Sequence, residues 1–212
     1  MAADKNTMFL KHYTSIENLF KILDTGYLLL SNPEKWEDKN DYAGLRAFCR
    51  LKGEGIKARV LCFLDGEESI HHRNTFAKNG CSIIFDKDYI LKQINTASFL
   101  HGPVEYIHDI TAKDLRKLAE NKPGKIPFLK RSLYECEREY RLIWFGTSEE
   151  APKIKLQRKA IKHLILSPGL PDISREKLKD YLETRYKIEA VLSRALESKP
   201  LISKFNQLGK RR

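Results

Sequence analysis

The pattern of hydrophobic and polar positions near the N-terminus predicts a strand followed by a helix. The segment from Phe9 to Pro33, FLKHYTSIENLFKILDTGYLLLSNP, begins with a short apolar run. Four apolar residues then recur at the spacing of one helical face: Ile16, Leu19, Phe20 and Leu23. Thr14, with Glu17 three positions later, has the form of a capping box, and Gly26 stands where a left-handed C-terminal residue is expected. The helix is therefore expected to be capped by Thr14 and to end before Gly26.

The rest of the chain alternates between strand-like and helix-like segments. Apolar runs predict strands at 27–31, 58–64, 81–86, 103–110, 139–146, 162–169 and 188–196. Helices are predicted at 67–80, 111–124 and 172–186, the second of them capped by Thr111. The stretch SNPEKWEDKND at 31–41 predicts a polar loop. Because strands and helices are interspersed and several strands are short, we expect an α+β fold with a mixed or antiparallel sheet core and flanking helices.

Length and composition indicate a single globular domain. The chain has 212 residues, of which 42% are hydrophobic, and this suffices for one core. We expect one domain over residues 1–212, with flexible ends at 1–6 and 206–212. No apolar run approaches the roughly 20 residues of a membrane helix, and MAADKNTMF lacks the apolar centre of a secretory signal. A cytoplasmic protein with no membrane partner is expected, and its four scattered cysteines are expected to be reduced thiols.

The charge balance favours a polyanionic partner. The chain has 39 Lys and Arg residues against 28 Asp and Glu residues, a formal net charge of +11. Such an excess favours nucleic acid or nucleotide phosphates, although a basic surface without a specific partner is the alternative. The stretch KIKLQRKAIKH is dense in positive charge, and it supplies four candidate nucleic-acid-binding residues: Lys153, Lys155, Arg158 and Lys159. RNA and DNA are both candidate partners.

A histidine at the end of the first predicted strand is the first candidate for chemistry. His12 lies two residues before the predicted helix cap, where a partly buried structural histidine is the alternative. The chain contains no G-x-G-x-x-G, P-loop or G-x-S-x-G motif. His71 and His72 are adjacent and do not share one helical face as two metal ligands would. No metal site is expected.

Several motifs follow one another in an order that resembles a known bacterial family. The chain carries HYTS at 12–15, SNP at 31–33, NGCSIIF at 79–85, EREYRLI at 137–143 and LSPG at 166–169. This series resembles the family catalogued as domain of unknown function 2971, over roughly Phe9 to Ile202. The chain departs from that family where His71 and Asn74 stand at helix positions that often hold Trp and Tyr. An altered pocket is implied there if those aromatic residues line one.

A second resemblance bears on function. A strand ending in His-x-Thr, then a helix, a glycine and a strand, with a glutamate on a late strand, is similar to the H-Y-E branch of the ADP-ribosyltransferases. That branch includes bacterial toxins that modify nucleic acid. The resemblance implies a split sheet and NAD as a substrate. It also implies that His12 holds the adenosine-side ribose of NAD, with Thr14 or Ser15 as helpers.

The same resemblance implies a glutamate that stabilises the ribosyl cation as nicotinamide leaves. A fixed carboxylate in a dry cleft suits that task, because the leaving group departs neutral and positive charge develops on the sugar. Glu139 is the expected carboxylate, with Glu137 as the alternative two residues earlier. Arg141, two residues further on, is expected on the same strand face and is grouped with the cofactor-binding residues. The alternative is a surface ladder in which Arg141 pairs with the acids.

An aromatic residue that stacks on nicotinamide is also implied. Trp36 and Tyr42 lie in the predicted polar loop, where large aromatic side chains are unexpected unless they cover something. The expected function is therefore NAD-dependent ADP-ribosyl transfer to a nucleic acid, of toxin or anti-phage effector type, with an antitoxin or regulatory protein as a candidate partner. It requires His12 and Glu139 to face one cleft.

Two alternatives remain. A non-catalytic nucleic-acid-binding or regulatory module on the same scaffold predicts basic residues clustered away from any cleft. A metal-dependent nuclease using His12, Glu137 and Glu139 predicts three or more acids that converge with the spacing of metal ligands.

Overall fold

A seven-stranded sheet forms the centre of the fold. The computed structural model describes residues 8–68, 70–94, 97–150 and 152–193. The strands are β1 Phe9–Thr14, β2 Tyr27–Leu28, β3 Lys57–Leu64, β4 Cys81–Asp86, β5 Phe99–Pro103, β6 Glu105–Ile107, β7 Leu129–Arg131, β8 Glu139–Gly146, β9 Ile154–Lys155, β10 Ile161–Leu166 and β11 Ala190–Leu192. The main sheet has the order β11–β10–β4–β1–β3–β8–β5, and β10 and β11 are its parallel pair. The α+β fold with a mixed sheet is therefore confirmed.

Six α-helices and four short 3₁₀ segments surround the described strands. The helices are α1 Ile16–Thr25, α2 Lys39–Lys52, α3 Ile70–Phe76, α4 Lys87–Leu91, α5 Ala112–Asn121 and α6 Asp172–Tyr186. The 3₁₀ segments are Pro33–Lys35, Pro123–Phe128, Ser132–Glu137 and Arg158–Ala160. Within the described ranges, no helix has both the length and the apolar character needed to cross a membrane.

The main sheet splits between β1 and β3. These antiparallel strands pair at one position, Lys11 opposite Leu64, whereas β1 pairs with β4 along its whole length. Further along β3, Ser31 pairs with β3 where β1 no longer does. Its backbone N–H donates to the Val60 carbonyl at 2.7 Å, and its carbonyl accepts from the Val60 N–H at 3.0 Å. The sheet is thus divided into the halves β11–β10–β4–β1 and β3–β8–β5, and the expected split is confirmed.

Each face of the sheet is covered by its own core. The first face is the side of Leu10, Phe63 and Leu142, and it is buried under α1, α4 and α6. The second face is the side of Val60 and Ile143. It is covered by α2 and the Pro123–Phe128 segment. The side chains of a strand alternate between faces, so the register decides which residues can meet.

Several predicted elements differ in the structure. The predicted loop at 31–41 contains the start of the 14-residue helix α2, and the predicted strand at 27–31 is reduced to its first two residues. Ser15, not Thr14, caps α1: its hydroxyl accepts a hydrogen bond from the N–H of Asn18 at 3.1 Å. Part of the predicted last strand, from 194 to 196, lies outside the described residues.

Candidate functional site

A buried arginine organises the second face of the sheet beside the split. Arg141 on β8 is 0% exposed, and its five N–H groups are all used. Nε and Nη2 donate to the two carboxylate oxygens of Glu139 at 2.7 and 2.8 Å. Nη1 and Nη2 donate to the two oxygens of Asp41 at 2.6 and 2.5 Å, and Nη1 also donates to the Pro127 carbonyl at 3.0 Å. Such bidentate pairing fixes both carboxylates in place.

A lysine from β7 joins the same group. Lys130 Nζ lies 2.5 Å from Glu137 Oε2, 3.2 Å from Glu139 Oε2 and 3.7 Å from Asp41 Oδ2. We call Asp41, Lys130, Glu137, Glu139 and Arg141 the charged cluster. It contains three carboxylates and two cations, so its formal charge is −1 when all five groups are ionised.

Aromatic side chains enclose the charged cluster. The guanidinium carbon of Arg141 lies 5.4 Å from the centroid of the Trp36 ring. Lys130 Nζ lies 4.8 Å from the centroid of the Tyr134 ring. The backbone N–H of Glu139 donates to the Tyr106 hydroxyl at 2.8 Å. Arg141, Asp41 and Glu139 are buried, and electrostatic interactions are stronger in such a poorly solvated environment. The structure therefore places four of the predicted residues side by side: Trp36, Glu137, Glu139 and Arg141.

The two glutamates of the charged cluster differ in their electrostatics. Burial opposes ionisation of Glu139, but Arg141 and Lys130 outweigh it and lower its pKa to about 2. Burial raises the pKa of Glu137, with Lys130 opposing. Both oxygens of Glu139 are bonded to cations, whereas Glu137 uses Oε2 alone among the described contacts. Glu137 is therefore the glutamate with an oxygen left to contact a ligand.

His12 lies in the split itself. Its Nδ1 is 3.0 Å from the carbonyl oxygen of Cys62 on β3, where pairing of β1 with β3 has stopped. A carbonyl oxygen only accepts, so Nδ1 donates. Burial lowers the pKa of His12, which makes the ring neutral near pH 7. Nε2, for which the described residues provide no partner, is then an acceptor.

His12 and Glu139 lie on opposite faces of the sheet, so the expectation that they share one face is wrong. Lys11 pairs with Leu64, and Leu64 pairs with Glu139, which puts those three side chains on the second face. His12 is the next residue along and points to the first face, where its ring meets the edge of Phe63 at 5.9 Å. The backbone of β3 alone separates the two groups, since the Cys62 thiol lies beside the Glu139 carboxylate.

The other residues predicted to bind the cofactor lie in three different surroundings. Thr14 is buried on the same face of β1 as His12. The Ser15 hydroxyl is used as the cap of α1. Tyr42 is not in the charged cluster: its hydroxyl donates to Glu34 at 3.2 Å, on the side of α2 that carries Arg46. Tyr42 therefore lines a different surface from Trp36.

The basic stretch that begins at Lys153 is mostly exposed. Lys153 and Lys155 are exposed, and Lys159 lies over the Tyr89 ring at 5.0 Å. Arg158 is engaged within the protein, because it donates to the carbonyls of Tyr186 and Lys187 just after α6 and to that of Ile161. Lys153 and Lys155 are thus open to a polyanion, Lys159 is exposed but contacts Tyr89, and Arg158 is engaged within the protein.

Sequence reasoning missed Asp41 and Lys130. Asp41 stands three residues after Asp38, which caps α2 by accepting from the N–H groups of Asn40 and Asp41 at 2.9 and 3.4 Å. An acidic cap followed by a polar first turn is a signal that could have located this helix. Lys130 follows a 3₁₀ segment, and nothing in the sequence near it indicates its partners.

The acids of the charged cluster do not form a metal site. Within the described ranges, no group of three or more His, Cys, Asp or Glu residues is arranged to hold a metal ion. Asp41, Glu137 and Glu139 converge, but Lys130 and Arg141 occupy the space between them. The spacing required by the nuclease alternative is therefore not found there.

Comparisons with known proteins give one similarity. No family model matches the chain, and no curated protein matches it with significance. Among solved structures, the chain is similar to "Thermus sp. 2.9 DarT in complex with ADP-ribosylated ssDNA", with a TM-score of 0.43 and 13% identity over 90% of this chain and 96% of that chain.

Proposed function

We propose that the chain is an NAD-dependent ADP-ribosyltransferase that acts on a nucleic acid. The requirement that His12 and Glu139 face one cleft is not met, so the proposal rests on Glu137 instead. The observation that carries it is the position of His12 in the sheet split, one strand away from the carboxylates held by Lys130 and Arg141. A hydroxyl-binding group and a fixed carboxylate beside one opening are what transfer of a ribosyl group requires.

Transfer breaks the bond between the anomeric carbon of the ribose and the nicotinamide nitrogen. The electron pair leaves with nicotinamide, which becomes neutral, and positive charge develops on the sugar. A nucleophilic atom of the acceptor then forms the new bond to that carbon, and its proton passes to bulk water. The contribution of the protein is a carboxylate near the developing charge, as in glycoside hydrolysis.

Glu137 is the better candidate for that carboxylate, and Glu139 is assigned to positioning. Glu139 binds Arg141 and Lys130 through both oxygens, and it therefore fixes the lysine that holds Glu137. Glu137 keeps one oxygen without a partner in the described chain and is partly exposed. Trp36, which packs against the buried guanidinium of Arg141, is the predicted aromatic side chain that lies at the charged cluster and can cover a flat ring.

The tautomer of His12 suits it to accept a hydrogen bond from a ribose hydroxyl. Because Nδ1 donates to the Cys62 carbonyl, Nε2 is an acceptor and can take a hydrogen bond from a sugar hydroxyl. Thr14 lies on the same strand face and is the neighbouring hydroxyl. The net charge of +11 supports a nucleic-acid acceptor rather than an acidic protein surface.

Release of nicotinamide from NAD tests this function, with single-stranded DNA, RNA or no acceptor. Glu137→Gln keeps the shape and removes the charge, and it is expected to lower turnover on the order of 10²–10³-fold while NAD binding persists. His12→Ala is expected mainly to weaken NAD binding. Glu135→Gln, at an exposed acid of the same 3₁₀ segment, is the matched control. A wild-type protein that neither binds nor consumes NAD would refute the proposal.

A non-catalytic nucleic-acid-binding module is the second candidate. Two observations favour it: His12 and Glu139 lie on opposite faces, and Glu139 is fully engaged with cations. On this view the charged cluster only joins α2, β7 and β8. Nucleic-acid binding without any NAD binding is the result that would support it.

A toxin or anti-phage effector role, with an antitoxin or regulatory partner, is the biological setting that we propose for the transferase. Expression of the wild-type chain and of Glu137→Gln in a bacterial host tests it. Growth arrest with the wild type and normal growth with the variant are the expected results, and equal growth would count against this role.

A further inference from the structure

An open groove lies on the side of α2 that faces away from the charged cluster. Its volume is about 440 Å³, and it runs between α2, the 3₁₀ segment at Pro33–Lys35 and the start of β3. The side chains that matter here are Asn32, Tyr42, Arg46, Arg50, Lys57 and Arg59. The groove and the charged cluster meet at the first turn of α2, since Asp41 binds Arg141 and the next residue lines the groove.

Two of the four cations in the groove are available to a ligand. Lys57 pairs with the Glu149 carboxylate, and Arg59 donates to the carbonyls of Ala58 and Glu149. Arg46 and Arg50 are exposed, and the described chain offers them no hydrogen-bond or ion-pair partner. Free guanidinium groups in a concave site are suited to phosphate oxygens.

The free cations are arranged in a line with an aromatic ring. Tyr42, Arg46 and Arg50 follow one another at four-residue steps, so they lie on one face of α2 about 6 Å apart along its axis. Two guanidinium groups at that spacing can contact successive phosphates of an extended strand. Tyr42 is partly exposed and offers a ring on which a base can stack.

The acids of the groove reduce its positive charge without cancelling it. The Glu34 carboxylate accepts hydrogen bonds from the Tyr42 hydroxyl and from the Asn32 side-chain amide, both at 3.2 Å. Glu54 lies at the turn between α2 and β3, beyond Arg50 in the chain. Lys57 is balanced by Glu149, so Arg46, Arg50 and Arg59 remain against Glu34 and Glu54. The groove therefore keeps a net positive charge, which favours a polyanion.

We propose that this groove binds a single-stranded nucleic acid, with Arg46 and Arg50 on its phosphates and Tyr42 on a base. The inference rests on the proposed function and deepens it, because it names the surface that holds the acceptor. That surface differs from the basic stretch beginning at Lys153.

Oligonucleotide binding measured without NAD tests the inference. Fluorescence anisotropy of labelled DNA and RNA strands of about 12 nucleotides is followed as the salt concentration rises. Arg46→Ala with Arg50→Ala is expected to weaken binding at least tenfold and to reduce the slope of log K against log salt by about 1.4, because two phosphate contacts are lost. Tyr42→Leu is expected to weaken binding about tenfold through lost stacking.

A matched control removes the same charge elsewhere. Lys113→Ala with Lys117→Ala takes two exposed cations, also four residues apart, from α5. Its binding is expected to stay within twofold of wild type, because long-range charge is screened at physiological salt. Circular dichroism and thermal unfolding of each variant establish that it is folded before binding is compared.

Three results would overturn the inference. The first is wild-type affinity in the groove variant, and the second is an equal loss in the α5 control. The third is displacement of the strand by ADP at low concentration, which would indicate a mononucleotide pocket. These results are separate from the transferase test, because nicotinamide release without an acceptor does not use the groove. A groove variant that still releases nicotinamide but no longer binds the strand supports both proposals.

Discussion

Replacement of Arg141 by methionine tests whether the charged cluster is held as the structure indicates. The arginine is fully buried, and its removal leaves Asp41 and Glu139 in the interior without their main partner. Methionine fills much of the same volume, so the main effect is the loss of charge and hydrogen bonds rather than a cavity. Arg141→Met is therefore a test of electrostatics.

The expected loss of stability can be estimated from the structure. Removing one partner of a buried ion pair costs roughly 3–5 kcal/mol, because the other charge stays buried without compensation. The low pKa of Glu139 has the matching sign and is the net effect of burial, Arg141 and Lys130. Its value of about 2, against an ordinary 4.5, corresponds to roughly 3 kcal/mol of favourable interaction for the ionised carboxylate. We expect Arg141→Met to lower the free energy of unfolding by roughly 3–5 kcal/mol at pH 7.

The pH dependence of this loss has a definite sign. In the wild type, the low pKa of Glu139 means that its contribution is present above pH 4.5 and is lost as the pH falls towards about 2. In the variant, the buried carboxylates lack their cation, so their pKa values rise and protonation relieves the penalty. The difference in stability between the two proteins should therefore be largest at neutral pH and should shrink towards pH 3.

Urea unfolding followed by tryptophan fluorescence provides the measurement. Trp36 contacts the cluster and Trp144 lies in the core of the first face, so both report the transition. Arg116→Met, at an exposed arginine of α5, is the control and should stay within about 0.5 kcal/mol of wild type. A loss below about 1 kcal/mol for Arg141→Met, unchanged between pH 7 and pH 4, would contradict the buried ion pairs described above.

Three further predictions follow from particular residues. Ser15→Ala should cost about 1 kcal/mol of stability in urea unfolding because it removes the cap of α1, and a larger loss for Thr14→Val would contradict that assignment. Gly80→Ala should lower the free energy of unfolding by about 1–3 kcal/mol, because a Cβ there would lie 2.2 Å from the Thr14 carbonyl oxygen. Gly44→Ala in α2, where the nearest atom to a Cβ would be 3.7 Å away, should raise it by about 0.5–1 kcal/mol. Thermal unfolding that reversed this order would refute the packing argument. Replacing Lys153, Lys155 and Lys159 together by Gln should weaken oligonucleotide binding, but less than loss of the groove arginines, and no change at low salt would remove this stretch from the interface.

The sequence predicted the elements whose signals are local. Apolar runs located β1, β3, β4, β8 and β10, and the cap at Thr111 located α5, because alternation and capping are set within a few residues. The helix α2 was missed because its polar first turn reads as a loop. Its buried apolar residues, Leu45, Phe48 and Cys49, come only after Gly44. Strand β5 was missed because Gly102 and Pro103 end a short apolar run.

The composition of the candidate site could be predicted only in part. Glu139 and Arg141 were expected on one strand face, and they are, because both belong to β8. Glu137 was expected there by the same alternation, yet it ends a 3₁₀ segment and is followed by Arg138 in a left-handed conformation. It joins the charged cluster through Lys130, a residue from another strand. Alternation does not extend past the start of a strand, so the position of Glu137 required the structure.

The faces of His12 and Glu139 depend on the register of three strands that are distant in the chain. Lys11 opposite Leu64 and Leu64 opposite Glu139 fix the result, and a slip of one residue would have reversed it. Opposite faces do not imply a large separation here, because the sheet is open between β1 and β3 at His12. A ligand that contacts both His12 and Glu137 must therefore enter through the split rather than lie across one face. Substitutions at these two positions should then affect one bound molecule in different ways, binding at the histidine and turnover at the glutamate.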